Sequence, residues 1–227
     1  MFTGFSQSTL DFMWGIRMNN ERPWFEAHKA EYIRDFQGPM RALASDVFDR
    51  VTAECGDRGF TQKVSRIYRD ARRVRDGRPY RDHMWCSVER PNEDGAGTPV
   101  FWFELTPDNW SHGMGFYMAR PETMAKMRAR IRNNTESFES LIAPLAAQDY
   151  FRLGGEDYAR KKEAPSENVA EWYNKKSFFV IHEESHAPIL FSAALVERIV
   201  EGIKFLMPLY DYCATLNADP APTDDGK

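Results

Sequence analysis

The sequence has few cysteines and no long apolar run, and each scarcity excludes a class of protein. Its three cysteines, Cys55, Cys86 and Cys213, are far apart in a chain of 227 residues and form no C-x-x-C pair. An odd number of widely spaced cysteines is typical of proteins in a reducing compartment. No window approaches the roughly 18 apolar residues of a membrane span, and the first residues lack the basic start and apolar run of a signal peptide. We therefore expect a cytoplasmic protein with no membrane partner.

The chain also lacks an excess of positive charge, because its formal net charge is −4 at pH 7. Nucleic-acid-binding domains are usually basic, so this balance disfavours a nucleic-acid partner. A chain of this length buries enough surface to fold without a disulfide or a metal, and we expect no cofactor. Aromatic side chains are plentiful, with 16 Phe, 9 Tyr and 6 Trp. They predict a well-packed core or an aromatic-lined pocket.

The first half of the chain changes from a helical to a strand-like period. Residues 6 to 56 follow helical spacing, with Ser6 or Ser8 as the first cap and a break or kink expected at Gly38-Pro39. Alternating patterns then predict four strands: Val64 to Arg69, Met84 to Val88, Val100 to Leu105 and Gly113 to Ala119. The loops between them are short, which favours an antiparallel meander.

Helical spacing returns after Pro121, and a strand over Lys176 to Ile181 precedes a last helix capped by Ser192. Helices, a run of strands and helices again indicate an α+β fold rather than an alternating doubly wound sheet. We predict a single domain over residues 1–216, with a central, mainly antiparallel sheet packed by N-terminal and C-terminal helices. Residues 217–227 contain few apolar side chains and predict a disordered tail.

One segment, which we call the arginine block, concentrates positive charge in this acidic chain. Arg66 to Arg81 reads R-I-Y-R-D-A-R-R-V-R-D-G-R-P-Y-R and holds seven arginines and two aspartates, a formal charge of +5. Guanidinium groups fork onto carboxylate or phosphate. The block therefore predicts an anionic partner, which is either a small ligand or the protein's own carboxylates.

In the ligand hypothesis, several arginines orient a phosphate or carboxylate and an aspartate holds one arginine in place. The tyrosines add hydroxyl donors or ring faces. The predicted ligand-binding residues are Arg66, Arg69, Arg72, Asp76, Tyr80, Arg81 and Tyr117. On a strand, Arg66 and Arg69 would take opposite faces, so not all the arginines can point into one pocket. In the alternative hypothesis, these arginines form internal ion pairs and the block is a scaffold.

Three further motifs accompany the arginine block: N-N-E-R-P-W-F-E-A-H-K-A-E-Y at residues 19–32, Gly115-Phe116-Tyr117 and Lys176-Ser177-Phe178. On these four motifs the chain resembles the bacterial family catalogued as domain of unknown function 2461. The resemblance covers roughly residues 2–210. The chain departs from the family pattern at Arg73-Val74 and at Gly77. The resemblance implies a bacterial cytoplasmic protein with an α+β fold, and it implies no reaction and no catalytic residues.

A second pattern, His182-Glu183-Glu184-Ser185-His186, satisfies the H-E-x-x-H rule of zinc peptidases. That chemistry needs a helix, because only residues i and i+4 of one helical face bring both imidazoles to one metal. The preceding residues predict a strand, and Pro188 follows closely. The context therefore disfavours a zinc hydrolase acting through His182, Glu183 and His186, and we assign no metal-binding residues.

Two further groups have both a structural and a functional interpretation. Trp24, His28 and Tyr32 share one face of a helix and indicate a packed core stripe more than a pocket wall. Gly113 and Gly115 allow close backbone approach, which suits a pocket floor or a bulged strand.

The sequence leaves open whether the protein is an enzyme, and it leaves the oligomeric state open too. A general acid or base is available in Asp70, Asp76, His28 or His112. The leading hypothesis is binding of a small anionic ligand. An enzyme acting on that ligand, or a module that binds nucleic acid or another protein, is the alternative.

Overall fold

A computed structural model describes residues 1–70, 72, 75–91, 97–116 and 118–222. The fold is α+β, as predicted, with one six-stranded antiparallel sheet among helices that precede and follow its strands. The strand order is β1-β2-β3-β4-β6-β5. The strands are β1 Thr61–Val64, β2 Met84–Glu89, β3 Val100–Leu105, β4 Asn109–Gly115, β5 Arg152–Gly154 and β6 Phe179–Ser185.

The helices before the sheet are α1 Gln7–Met18, α2 Arg22–Ala27, α3 Lys29–Glu31 and α4 Gly38–Cys55. Ser6 caps α1, since its side chain accepts from Thr9 N while the Thr9 hydroxyl accepts from Ser6 N. The expected break at Gly38-Pro39 is a widened turn of π-helix over Tyr32–Gln37. Pro39 lacks an N–H, so it suits the first turn of the helix that follows.

The helices after β4 are α5 Pro121–Asn133, α6 Thr135–Ala146, α7 Ala170–Tyr173 and α8 Ala194–Ala214. Asn134 ends α5 and caps α6 by accepting a hydrogen bond from Ser137 N. Short 3-10 turns occupy Pro188–Phe191 and Leu216–Ala218. No helix among the described residues is long and apolar enough to cross a bilayer.

The chain divides into two compact units by its internal contacts. Unit 1 comprises Met1–Glu89, Trp102–His112 and Glu183–Lys204, and unit 2 comprises Arg90–Phe101, Gly113–His182 and Phe205–Lys227. The prediction of one domain over residues 1–216 stays a prediction.

In unit 1, strand β2 buries one face completely and the other face in part. Met84, Cys86 and Val88 are buried on one face, whereas on the other face Ser87 is buried and Trp85 and Glu89 are half-buried. Apolar side chains of one face therefore pack under the N-terminal helices, which include the fully buried Phe36, Met40 and Leu43. The opposite face of β2 remains accessible to solvent at Trp85.

Unit 2 depends on close contact between a glycine-containing strand and the backbone of Phe178 and Phe179. A Cβ on Gly115 would lie 2.5 Å from Phe179 Cα and 2.6 Å from Phe178 O. Phe116 N donates to Phe178 O at 3.1 Å. The predicted close approach is thus real at Gly115, and a neighbouring backbone occupies the space that a ligand would need.

Side chains of unit 2 contact the first residues of the segment predicted to be a disordered tail, and that prediction stays a prediction. Asp219 forms a paired ion contact with Arg130, at 2.6 and 2.7 Å, and Asn217 bonds to Thr123 and Lys126. Polar side chains of α5 therefore contact the chain as far as Asp219. Residues 223–227 lie outside the described residues.

Gly115→Ala should destabilise the protein by about 1–3 kcal/mol, because the new methyl group overlaps backbone atoms that cannot rotate away. Gly154→Ala is the matched control, since its added Cβ would meet only the ring end of Phe179, at 2.4 Å from Cε2. Urea denaturation measures both free energies of unfolding. Equal losses for the two variants would contradict the account of Gly115.

Candidate functional site

Beyond the paired strands β1 and β2, residues 66–69 and 79–81 continue the antiparallel pairing. These two ends of the arginine block pair in a register that is shifted by two residues relative to β1 and β2. Ser65 N donates to Trp85 O at 2.8 Å, and further along the pair Tyr68 is bridged to Tyr80. Three positions separate Ser65 from Tyr68, whereas five separate Tyr80 from Trp85. The second strand therefore contains two extra residues, which form a bulge. Bulges redirect side chains and are frequent beside functional sites.

This shift explains why the predicted strand from Val64 to Arg69 is wrong in its bounds. Regular pairing in β1 stops at Val64, and only single bonds continue the ladder beyond it. Alternation in one strand cannot reveal extra residues in its partner, and the bulge at Asp82 and His83 lies on the other strand.

Arg81 replaces the missing ladder bonds at the bulge. Its Nη1 donates to Arg66 O at 2.6 Å and to Tyr68 O at 2.7 Å. Arg81 N also donates to Ile67 O at 2.7 Å. The side chain is half-buried and spans two carbonyls of the neighbouring segment. Arg81 thus fixes the backbone that carries Arg66 and Tyr68.

An open cleft of about 640 Å³ lies beside this segment, wholly within unit 1. Its lining is mostly cationic and aromatic. It comprises Lys63, Val64, Ser65, Arg66, Tyr68, Arg69, Asp70, Arg81 and Trp85. Four cationic side chains face one carboxylate, so the lining carries a net positive charge. A cleft of this size accommodates a small organic ligand.

Arg66 is the cation in the cleft whose side chain has no partner among the described residues. Within the described residues, no carboxylate or carbonyl oxygen bonds to its guanidinium, which is exposed. Lys63, by contrast, is paired with Glu89. Arg69 donates from Nη1 to both carboxylate oxygens of Asp76, at 2.8 and 2.9 Å. Arg66 is therefore the group most available to an anion.

The predicted aspartate clamp exists, and it lies outside the cleft lining. Asp76 accepts from Arg69 and also from Arg78 N at 3.2 Å, and the hydrogen bond from Arg69 lowers the Asp76 pKa. The turn that brings them together uses Gly77, whose φ of +71° favours glycine. The pair is exposed, so it contributes little stability and can be exchanged for a ligand.

Arg72 and Tyr80, both predicted to bind the ligand, do not line the cleft. Arg72 forks onto Asp70 at 2.9 and 3.0 Å, and its side chain is 89% exposed. Tyr80 is 4% exposed and stacks on Phe25 with ring centroids 4.4 Å apart. The remaining predicted residue, Tyr117, lies outside the described residues.

Three residues of the cleft lining, Lys63, Ser65 and Trp85, were not predicted from the sequence, because they lie outside the arginine block. Lys63 and Trp85 are on paired strands, so their proximity depends on strand register. The available signal was the alternation of β2, which places Trp85 on its less buried face.

The bulge residues form a second polar cluster, which we call the bulge cluster, with Arg17 and Glu104. Asp82 accepts from Arg17 Nε at 2.6 Å and bonds to His83 Nδ1 at 3.0 Å. His83 Nε2 lies 3.8 Å from Glu104 Oε1. The hydrogen bond with His83, aided by Arg17, holds the Asp82 pKa well below its usual range, whereas burial raises the Glu104 pKa.

The other predicted candidates occupy structural positions. Residues 182–185 belong to β6, so the H-E-x-x-H pattern lacks its helix. His182 Nδ1 bonds to Tyr150 O at 3.0 Å, and separately His186 Nε2 bonds to Thr106 O at 3.1 Å. Within the part of the chain described, no set of three or more metal-ligating side chains clusters.

Two histidines proposed as acids or bases are also packed against rings. His28 stacks on Trp24 at 4.0 Å and its Nδ1 bonds to Trp24 O at 2.8 Å. His112 is 1% exposed and stacks on Trp110. Neither contributes to the cleft.

A family model described as "Conserved hypothetical protein (DUF2461)" matches residues 8–212, which agrees with the resemblance seen in the sequence. No curated protein matches the chain.

Asp82→Asn should cost about 1–3 kcal/mol of stability at neutral pH, because it replaces a charged acceptor bonded to two donors. A carboxyl with a lowered folded pKa stabilises the fold above its unfolded pKa of about 3.9, and this contribution is lost as the pH falls through the lower folded value. Wild type and variant should therefore converge in acid.

Asp108→Asn is the control for this prediction. Asp108 is 59% exposed and pairs with the same Arg17, so its loss should have little effect. Thermal unfolding from pH 7 to pH 3 measures the differences. A constant gap between wild type and Asp82→Asn over that range would show that the charge of Asp82 is not the source.

Proposed function

Since the chain belongs to the DUF2461 family, whose description assigns no activity, we propose a function from the cleft itself: it binds a small ligand through a phosphate or carboxylate group. The observation that carries the proposal is the Arg66 guanidinium, which lies in an open, cationic cleft and has no partner among the described residues. A planar guanidinium offers five donors to such a group.

The other arginines of the cleft have supporting roles in this proposal. Arg81 uses only Nη1 for its two carbonyl bonds, so its remaining N–H groups make no hydrogen bond within the described part of the chain. Arg69 can move from Asp76 to a ligand at little cost, because that pair is on the surface. The accessible ring of Tyr68, which is 52% exposed, offers an apolar face to the body of the ligand.

Arg66→Ala should weaken the binding of pyrophosphate and citrate about tenfold or more, because a hydrogen bond to a charged group is lost. Arg75→Ala is the matched control, since it removes the same charge from the same exposed segment outside the cleft lining. Isothermal titration calorimetry measures both. Equal affinities for wild type, Arg66→Ala and Arg75→Ala would reject the proposal, as would the absence of binding to wild type.

The bulge cluster favours a second candidate, an enzyme acting on the bound ligand. His83 is oriented by Asp82 and is 36% exposed, and it lies in sequence between Arg81 and Trp85, which both line the cleft. An oriented imidazole beside a carboxyl of raised pKa is the arrangement expected of an acid and base pair.

Turnover of p-nitrophenyl phosphate or p-nitrophenyl acetate tests this candidate. We expect a bell-shaped dependence of kcat/KM on pH in wild type, and about a hundredfold loss of kcat in His83→Gln. His28→Gln is the control, because His28 is stacked on Trp24 and lies outside the cleft lining. Turnover that both variants retain would exclude His83 as the acid or base.

A further inference from the structure

The outer side of β1 borders the cleft and ends the sheet. β1 is the first strand in the sheet order, and its residues are mostly exposed. In an antiparallel pair, alternate residues turn both N–H and C=O toward the partner strand. Ser65 N donates to Trp85 O and Arg69 N donates to Pro79 O. The odd-numbered residues therefore face the partner, and the even-numbered residues face the open edge.

The open edge has two ends with different hydrogen-bonding character. At Arg66 and Tyr68, the outward carbonyls already accept from Arg81, while their N–H groups donate no hydrogen bond within the described residues. At Gln62 and Val64, neither the outward N–H nor the outward C=O has a partner among the described residues. One end thus offers donors and acceptors, and the other offers donors alone beside guanidinium groups.

Building on the proposed anion site, we infer that the cleft takes an extended acidic peptide segment, which adds to β1 as an edge strand. Peptide N–H and C=O groups match the mixed end at Gln62 and Val64. A carboxylate from Asp, Glu or a chain terminus matches the donor-only end at Arg66 and Tyr68. The carbonyl groups there already accept from Arg81, so this end offers donors to an incoming acceptor. The cleft is then the site where the acidic group of the segment is held.

Charge and shape support a peptide over other anions. The cleft lining has four cations and one carboxylate, so an acidic segment is the complementary partner. Tyr68 and Trp85 provide ring surface for the side chains of an extended segment, which alternate in direction. A phosphodiester backbone has no N–H donors for Gln62 O and Val64 O, whereas a peptide backbone does.

The test uses a fluorescein-labelled Glu-Val-Glu-Val-Glu peptide in a fluorescence polarisation titration. Two further peptides are N-methylated, one at both valines and the other at the glutamates. Because only alternate residues face the edge, methylation of one set should weaken binding roughly tenfold and methylation of the other set should not.

Variants of the protein test the same contact from the other side. Gln62→Pro removes an outward N–H and leaves the bonds to β2 intact, so it should weaken binding several-fold, whereas Gln62→Ala keeps the N–H and should bind as wild type does. Arg66→Ala should also weaken binding of the peptide, because it removes the guanidinium that is proposed to hold the acidic group. The methylated peptides keep the test decisive if Gln62→Pro fails to fold.

Several results would overturn the inference. Equal binding of both methylated peptides would show that charge alone, without an added strand, accounts for peptide binding. Tighter binding of a thymidine oligonucleotide that is insensitive to Gln62→Pro would assign the cleft to nucleic acid. Dimerisation of wild type that Gln62→Pro abolishes would assign the edge to a second copy of this chain.

The failure of the inference is distinguishable from failure of the proposed function. Binding of pyrophosphate that depends on Arg66, without binding of any peptide, would overturn the added strand and leave the anion site in place. Binding of the peptide that is equally strong in Arg66→Ala, with no binding of pyrophosphate, would overturn the anion site and with it the inference.

Discussion

The two hydrogen bonds from Arg81 Nη1 to Arg66 O and Tyr68 O are the interaction on which the site depends. The bulge of two residues in the opposite strand breaks the regular ladder at this point. A guanidinium can satisfy both carbonyls at once because its donors form a rigid fork. The bridge holds the backbone at Arg66 and Tyr68, whose own N–H groups donate no hydrogen bond within the described residues.

The block combines both hypotheses that its composition allows. Arg69 and Arg72 are bound by the protein's own aspartates, which is the scaffold arrangement, whereas Arg66 lines the cleft with no carboxylate partner in the part of the chain that the structure describes. The division follows from the chain path. Asp70 and Asp76 belong to the distal turn, so their carboxylates reach the arginines nearest that turn. Arg66 lies farther from that turn, in the segment whose carbonyl groups accept hydrogen bonds from Arg81.

The sequence predicted the parts of the fold that one segment determines alone. β3 has the predicted bounds because a full alternation from Val100 to Leu105 matches one buried and one open face. The bulge and the neighbours of Arg66 were not predicted, since they depend on pairing between segments. Which arginine the aspartate clamp holds was not predicted either, because the turn at Gly77 is what brings Asp76 to Arg69. Trp85 was missed for the same reason, because a neighbouring strand brings it to the cleft.

Our central proposal is that Arg66 and outward N–H groups of its strand hold an oxyanion. Backbone amide NMR of the 15N-labelled protein, titrated with inorganic phosphate and then with citrate, tests this most directly. We expect saturable shifts of the Arg66 and Tyr68 amide signals, with smaller shifts at Gln62 and Val64. Shifts confined to other parts of the chain, or a response of Arg72 and Asp76 without Arg66, would contradict it.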